Sequence, residues 1–178
     1  MTVPRIPTLA LALGLSLSAC GGDDVPAAGP APAGPAQPSP AEVAAEVAPY
    51  DGPAAEVTLA PVGELMEYEQ KEFTVRPGQT VRLTFTNTAT NEAMQHNVVV
   101  LQQNASVNDL GQAAMSAAET DYIPAGFSDQ IIAHTAMAPP GETVTVEFTA
   151  PAAGDYTYVC TFPGHYMMMQ GTMRVVPA

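Results

Sequence analysis

The chain has 178 residues, a length that accommodates one domain and additional segments. It is acidic, with 18 Asp and Glu residues against 5 Lys and Arg residues and a formal net charge of −13. This balance excludes the basic surface that a nucleic-acid-binding protein uses to neutralise phosphates. The two cysteines, Cys20 and Cys160, lie in different sequence contexts, so no disulfide framework is expected.

Residues 1–19 have the features of a secretory signal peptide. Arg5 gives a short positive start, and the apolar run over residues 6–17 is too short to cross a bilayer as a stable helix. Small residues then precede Cys20 in a pattern that resembles the lipobox of bacterial lipoproteins. That resemblance implies cleavage before Cys20 and acyl chains on it, which anchor an exported chain to a membrane. The alternative is an ordinary signal peptide with a stray cysteine.

Residues 20–53 are rich in Pro, Ala and Gly, with scattered acidic residues. Such a segment has too little apolar surface to offset the entropy lost on folding, and its prolines favour extended conformations. We therefore predict a tether between the lipid and a globular domain, with a reach on the order of 90 Å.

Residues 54–178 have the pattern of an all-β domain, because apolar alternation is repeatedly interrupted by Pro-Gly and Gly-Asp turns. A change of pattern over residues 107–120 predicts one helix, with Asn108 or Asp109 as its N-cap. The predicted fold is a Greek-key β-sandwich with one helical insertion. Its predicted strands cover residues 56–60, 72–75, 80–86, 97–102, 144–148, 156–160 and 171–176.

Metal-binding side chains are concentrated near the C-terminus, where Cys160, His165 and Met169 lie within ten residues of one another. Thiolate and thioether are soft ligands, and two imidazoles with one thiolate and a weak axial thioether form a blue-copper electron-transfer site. The second imidazole must come from elsewhere in the chain. His96 stands just before a predicted core strand and is the candidate for it.

The sequence Cys-Thr-Phe-Pro-Gly-His from Cys160, with Met169 four residues after His165, resembles the ligand loop of azurins within the cupredoxin family. The His96-Asn97 pair and residues 121–124 and 132–135 extend the resemblance to azurins and auracyanins. It implies one type 1 copper ion that cycles between Cu(II) and Cu(I). The implied metal ligands are His96, Cys160, His165 and Met169.

The resemblance also implies supporting contacts and leaves alternatives open. Asn97 and the backbone amide of Phe162 are expected near the Cys160 sulfur, where they tune the potential. If the loop follows the longer auracyanin pattern, Gln170 takes the axial place. Gln95 replaces an azurin glycine, so a close approach of its carbonyl to copper is in doubt. His134 is expected at the surface, outside the site.

The family resemblance implies an electron carrier and not an enzyme, since the site has no open position or acid–base pair. The edge of His165 is expected to lie in an apolar patch where redox proteins, such as c-type cytochromes or terminal reductases and oxidases, dock transiently. A membrane-tethered copper carrier or scavenger is the second hypothesis. A small-molecule-binding sandwich with structural Cys and His residues is the third. The patch is expected to include Met94, Met167 and Met168.

Overall fold

The structure is a computed structural model that describes residue 47 and residues 49–177. The predicted signal peptide, Cys20 and almost all of the predicted tether lie outside the described residues and stay predictions. Residues 49–54 form no regular element, and the Gln79 Nε2 atom donates to the carbonyl of Pro53 at 2.9 Å. This hydrogen bond fixes where the chain enters the domain.

Eight strands and one α-helix form the domain, and they confirm its predicted all-β character. In chain order they are β1 (Ala55–Leu59), β2 (Glu72–Val75), β3 (Thr80–Thr86), β4 (Val99–Leu101), α1 (Val107–Ala114), β5 (Ile131–His134), β6 (Thr143–Thr149), β7 (Gly154–Val159) and β8 (Gln170–Val175). No helix among the described residues is long and apolar enough to cross a membrane.

Two mixed sheets pack into the predicted Greek-key sandwich. The smaller sheet has the order β1-β3-β6, with β1 parallel to β3 and β3 antiparallel to β6. The larger sheet has the order β2-β8-β7-β4-β5, in which only the β2–β8 pair is parallel. Since β7 ends at Val159 and β8 begins at Gln170, the residues between them form a loop at one end of the sandwich.

The core lies between the sheets, and strand alternation determines which side chains enter it. Val81, Leu83 and Phe85 of β3 are fully buried, whereas Arg82 between them is exposed. All three residues of β4 are buried, as expected for a strand in the core of a sandwich. The strand is shorter than the predicted 97–102, and at its start the Val98 amide donates to the Thr135 hydroxyl and not to a backbone carbonyl.

The helical insertion is confirmed, but its bounds and its cap differ from the prediction. Helix α1 ends at Ala114, and a separate 3₁₀ turn covers Ala118–Thr120. The N-cap is Ser106, whose hydroxyl accepts from the backbone amide of Asp109 at 3.2 Å. The predicted caps were therefore wrong, since both Asn108 and Asp109 lie inside the helix.

Candidate metal centre

Three of the predicted ligands converge at the end of the sandwich where β7 leads into the β7–β8 loop. The Nδ1 atoms of His96 and His165 are 3.1 Å apart, and they lie 3.8 and 3.7 Å from the Cys160 sulfur. All three side chains are buried, with exposed fractions of 0% for His96 and Cys160 and 5% for His165. Residues that lie far apart in the chain therefore meet at one point, and their role as metal ligands stays a prediction.

Asn97 joins the segment of His96 to the segment of Cys160. Its side-chain oxygen accepts from the Thr161 amide at 2.9 Å, and its Nδ2 donates to the Thr161 hydroxyl at 2.8 Å. The same Nδ2 lies 3.3 Å from the carbonyl of Asp121, which it also reaches as a donor. Paired backbone hydrogen bonds with Ala138 hold His96 from its other side. The positions of His96 and Cys160 are therefore fixed by hydrogen bonds made by neighbouring residues outside the cluster.

The β7–β8 loop is closed by backbone hydrogen bonds that tie its two ends together. The Cys160 amide donates to the carbonyl of Met169 at 3.0 Å, and the Met169 amide donates to the carbonyl of His165 at 2.8 Å. Gly164 has a φ of +84°, a left-handed conformation that favours glycine in this turn. Met169 is fully buried beside Cys160, while Gln170 uses its side-chain amide to bond the carbonyl of Tyr166 at 2.7 Å.

Helix α1 supports this loop through a contact that no pattern in the sequence predicts. Gly111 of the helix lies so close to the ring of Tyr166 that a Cβ there would be 2.1 Å from a ring atom. Leu110 and Tyr166 also belong to one buried cluster with Val99 and Val159. The helical insertion therefore positions the loop segment that directly follows His165.

Burial determines the protonation states of the three clustered groups. It lowers the pKa of His96 to about 4, with a smaller lowering from the positive form of His165, and it also lowers the pKa of His165. Burial raises the pKa of the Cys160 thiol to about 12, against backbone hydrogen bonds from Asn97 and Phe162 to the sulfur. The expected role of Asn97 and Phe162 in tuning the potential stays a prediction.

The donor set fits a copper ion. Two imidazole nitrogens and the Cys160 sulfur face one another in a buried site, so one soft and two borderline donor atoms converge at one point. A bound cation would ionise the thiol that burial otherwise keeps protonated. The Nε2 of His96 is buried without a hydrogen-bond partner in the described part of the chain, so the Nδ1 side carries the only polar contacts of this ring.

The other predicted residues lie around the cluster and not in it. His134 is exposed at the end of β5, and its Nδ1 contacts the carbonyl of Thr135 at 3.1 Å. Met167 and Met168 are 67% and 63% exposed on the β7–β8 loop, whereas Met94 is half-buried. Gln95, directly before His96, is half-buried.

Residues 55–176 match the model of the family described as copper binding proteins, plastocyanin/azurin family. The chain belongs to this family. It is similar to auracyanin-A of Chloroflexus aurantiacus, with 41% identity over 121 residues that cover 67% of this chain and 73% of that protein. It is also 33% identical to azurin of Alcaligenes faecalis over 108 residues, which cover 59% of this chain and 79% of azurin.

A crystal structure of dithionite-reduced auracyanin from Roseiflexus castenholzii has the same fold. It aligns with a TM-score of 0.64 and 42% identity, over 71% of this chain and all of that chain. These findings confirm the predicted family and its copper cofactor. Proteins of this kind are electron carriers and not enzymes, as the sequence resemblance implied.

Proposed function

We propose that the chain is a blue copper protein that carries single electrons between redox partners, with copper bound by His96, Cys160, His165 and Met169. The observation that carries this assignment is the convergence of two imidazole nitrogens and one sulfur, 3.1 to 3.8 Å apart, in a buried site. Copper bound there supplies a one-electron couple between Cu(II) and Cu(I).

Each of the four residues would supply a different ligand to the copper ion. Cys160 provides the thiolate, His96 and His165 provide neutral imidazoles, and Met169 provides a weak axial thioether. Met169 is favoured over Gln170 because it is fully buried next to Cys160, while the Gln170 amide is engaged with the Tyr166 carbonyl. The contacts of Asn97 hold these groups in one arrangement, which keeps the reorganisation between the two oxidation states small.

The outer surface of the β7–β8 loop suits brief contact with a partner. Met167 and Met168 are exposed beside His165, the one clustered residue with measurable solvent exposure. An apolar patch of this kind supports weak and transient association. We propose that redox proteins such as c-type cytochromes or terminal reductases and oxidases dock there.

The sequence before the domain supports a proposal for the location. We propose that Cys20 carries lipid, and that residues 20–53 tether the copper domain to a membrane on its periplasmic side or at the cell surface. The acyl chains would confine the domain's search for partners to a zone near that membrane. Mass spectrometry of the native chain tests this point, because an unmodified Cys20 would contradict it.

The test of the function is to load the purified chain with Cu(II) and cycle it chemically. The proposal predicts one copper per chain, an intense blue copper–thiolate absorption and reversible one-electron reduction. Cys160→Ser should abolish the blue absorption. A blue colour that survives this substitution would refute the ligand assignment.

The exposed thioethers of Met167 and Met168 favour a second candidate, a copper carrier, since soft thioether ligands select Cu(I). A colourless Cu(I) complex that hands its metal readily to a copper chaperone would support this candidate over the electron carrier.

A further inference from the structure

Tyr68 is a buried junction between the metal centre and the interior of the sandwich. Its side chain is fully buried, and its hydroxyl donates to the carbonyl of Asn97 at 2.6 Å. The side chain of the same Asn97 is bonded to the backbone amide and the hydroxyl of Thr161, which directly follows Cys160. A second connection runs through Phe85, whose ring lies edge-on to Tyr68 at 6.0 Å and to His96 at 6.2 Å between centroids. Two of the three clustered residues are therefore linked to Tyr68.

The aromatic contacts continue from Tyr68 towards a surface other than that of His165. The rings of Tyr68 and Tyr158 are 5.1 Å apart, and those of Tyr158 and Phe73 are 5.4 Å apart with only 31° between their planes. The Tyr158 hydroxyl donates to the carbonyl of Gln70. Phe73 is half-buried and lines a groove of about 280 Å³ between strands β1 and β2.

We propose that this groove, lined by residues 55–59, 70 and 72–74, is a second electron-transfer port, coupled to copper through Tyr68, Tyr158 and Phe73. The inference rests on the proposed electron-carrier function. Electronic coupling falls steeply across empty space and less steeply through bonds, hydrogen bonds and packed rings, so an unbroken series of contacts favours this direction. One electron moves between copper and an acceptor at the groove; no bond breaks, and both tyrosine hydroxyls keep their protons.

The charges of the groove indicate what kind of partner fits it. Its lining includes the carboxylates of Glu56 and Glu72 and no Lys or Arg side chain. Glu72 is paired with Arg174 at 2.8 Å, but both side chains are half-exposed, so a cationic partner can compete for that carboxylate. The occupant is a redox protein with basic residues around the exposed edge of its cofactor.

The route is tested with a photo-oxidisable ruthenium complex attached to one surface histidine of the copper-loaded full chain. His134 on β5 is a native attachment point outside the aromatic series. The groove label is placed by Thr74→His in a His134→Gln background, since Thr74 is exposed and lines the groove. A flash in the presence of an electron-accepting quencher generates Ru(III), which then oxidises Cu(I) and returns to Ru(II). The return of the blue absorption follows this step.

Tyr68→Leu should slow the reaction of the groove label several-fold and leave the reaction of the His134 label unchanged. Phe73→Leu, a milder change in a half-buried position, should act in the same selective way if Tyr68→Leu does not fold. Equal slowing at both labels, or no slowing at either, would overturn the route. The blue absorption of both variants and the reduction potential of Phe73→Leu should stay as in the parent, which separates failure of the route from failure of the copper assignment.

Two further measurements test the first link and the partner. In the copper-free chain, the hydroxyl proton of Tyr68 should exchange slowly with water in NMR spectra, and rapid exchange would contradict its bond to Asn97.

Glu56→Gln should slow oxidation of the Cu(I) chain by a cationic cobalt(III) tris-chelate complex more than Glu147→Gln does. Glu147 carries the same charge on β6 of the same sheet, outside the groove lining. Equal effects would remove the groove as the site of a cationic partner.

Discussion

His96, Asn97 and Cys160 form an inner half of the metal centre that is fully buried, whereas residues 163–168 form an outer half that carries two exposed methionines. The inner half is fixed by reciprocal hydrogen bonds between Asn97 and Thr161. The outer half is held by turn hydrogen bonds and by the packing of Tyr166 on Gly111. Under the proposed function the two halves have different tasks, since the buried and bonded groups would hold the metal and the exposed loop would contact partners.

The strongest way to break the inner half is to remove one of its imidazoles. His96→Gln should abolish the blue absorption, because the buried site then lacks one of its two nitrogen donors. His134→Gln is the matched control, as it removes an exposed histidine outside the cluster. Copper titrations followed by absorption measure both, and retention of the blue colour in His96→Gln would contradict the role of this residue.

The bonds of Asn97 should matter for stability as well as for the copper. Asn97→Ala leaves the buried amide of Thr161 without its partner, and we expect it to lower the free energy of unfolding by about 2 to 3 kcal/mol. Asn91→Ala is the control, since the exposed Asn91 side chain bonds only the nearby amide of Ala93. Urea unfolding of both variants measures the difference, and equal losses would show that Asn97 does not join the two segments.

The copper-free protein should lose stability as the pH falls. The unfolded chain binds protons at its histidines near the ordinary pKa of 6.5, whereas burial lowers the pKa of folded His96 to about 4. The stabilising effect of neutral His96 is therefore complete above pH 6.5 and declines as the pH falls towards about 4. His165 acts in the same direction.

Urea unfolding of the copper-free chain between about pH 7 and 5, where histidine is the side chain that titrates, measures this slope. His96→Gln should remove more of the slope than His165→Gln, because His96 is the more deeply buried of the two. A free energy of unfolding that does not change over this range would contradict the neutral, buried imidazoles.

The smallest effect on the folded state is expected at the outer half. Met168→Ser changes a side chain that is 63% exposed, so stability should shift by less than about 0.5 kcal/mol. The rate of electron self-exchange between two copies should nevertheless fall, because their loops lose apolar contact near His165. Met115→Ser, at a 58% exposed position after α1, is the control. NMR line broadening in mixed oxidation states measures the rate, and equal rates would place the contact elsewhere.

The sandwich strands and the ligand spacing are more predictable from sequence than the packing of the loop, because local patterns determine them. Alternation in β3, the apolar run of β4 and the spacing of Cys160 and His165 are all features of short segments. The role of Thr161 as the partner of Asn97 could have been suspected, since it directly follows Cys160. The contact of Gly111 with Tyr166 could not, because it joins two segments that only tertiary packing brings together.

The end of α1 was likewise beyond sequence patterns. Good helix formers continue to Ala118. The backbone amides of Ser116 and Ala117 nevertheless donate to the carbonyls three residues earlier, as in a 3₁₀ turn, and not four residues earlier, as in an α-helix. Asp121 and Tyr122 then have left-handed φ values of 53° and 60°. This turn brings the carbonyl of Asp121 to the side-chain amide of Asn97. Tertiary contacts at the site therefore outweigh the local helix propensity.

The most direct test of the account is X-ray absorption at the copper edge of the loaded chain in both oxidation states. A site fixed before metal binding predicts two nitrogen ligands and one short sulfur bond in Cu(II), with the same set and only slightly longer bonds in Cu(I). A ligand set that changes between the states, or one without a short sulfur bond, would contradict copper binding by His96, Cys160 and His165.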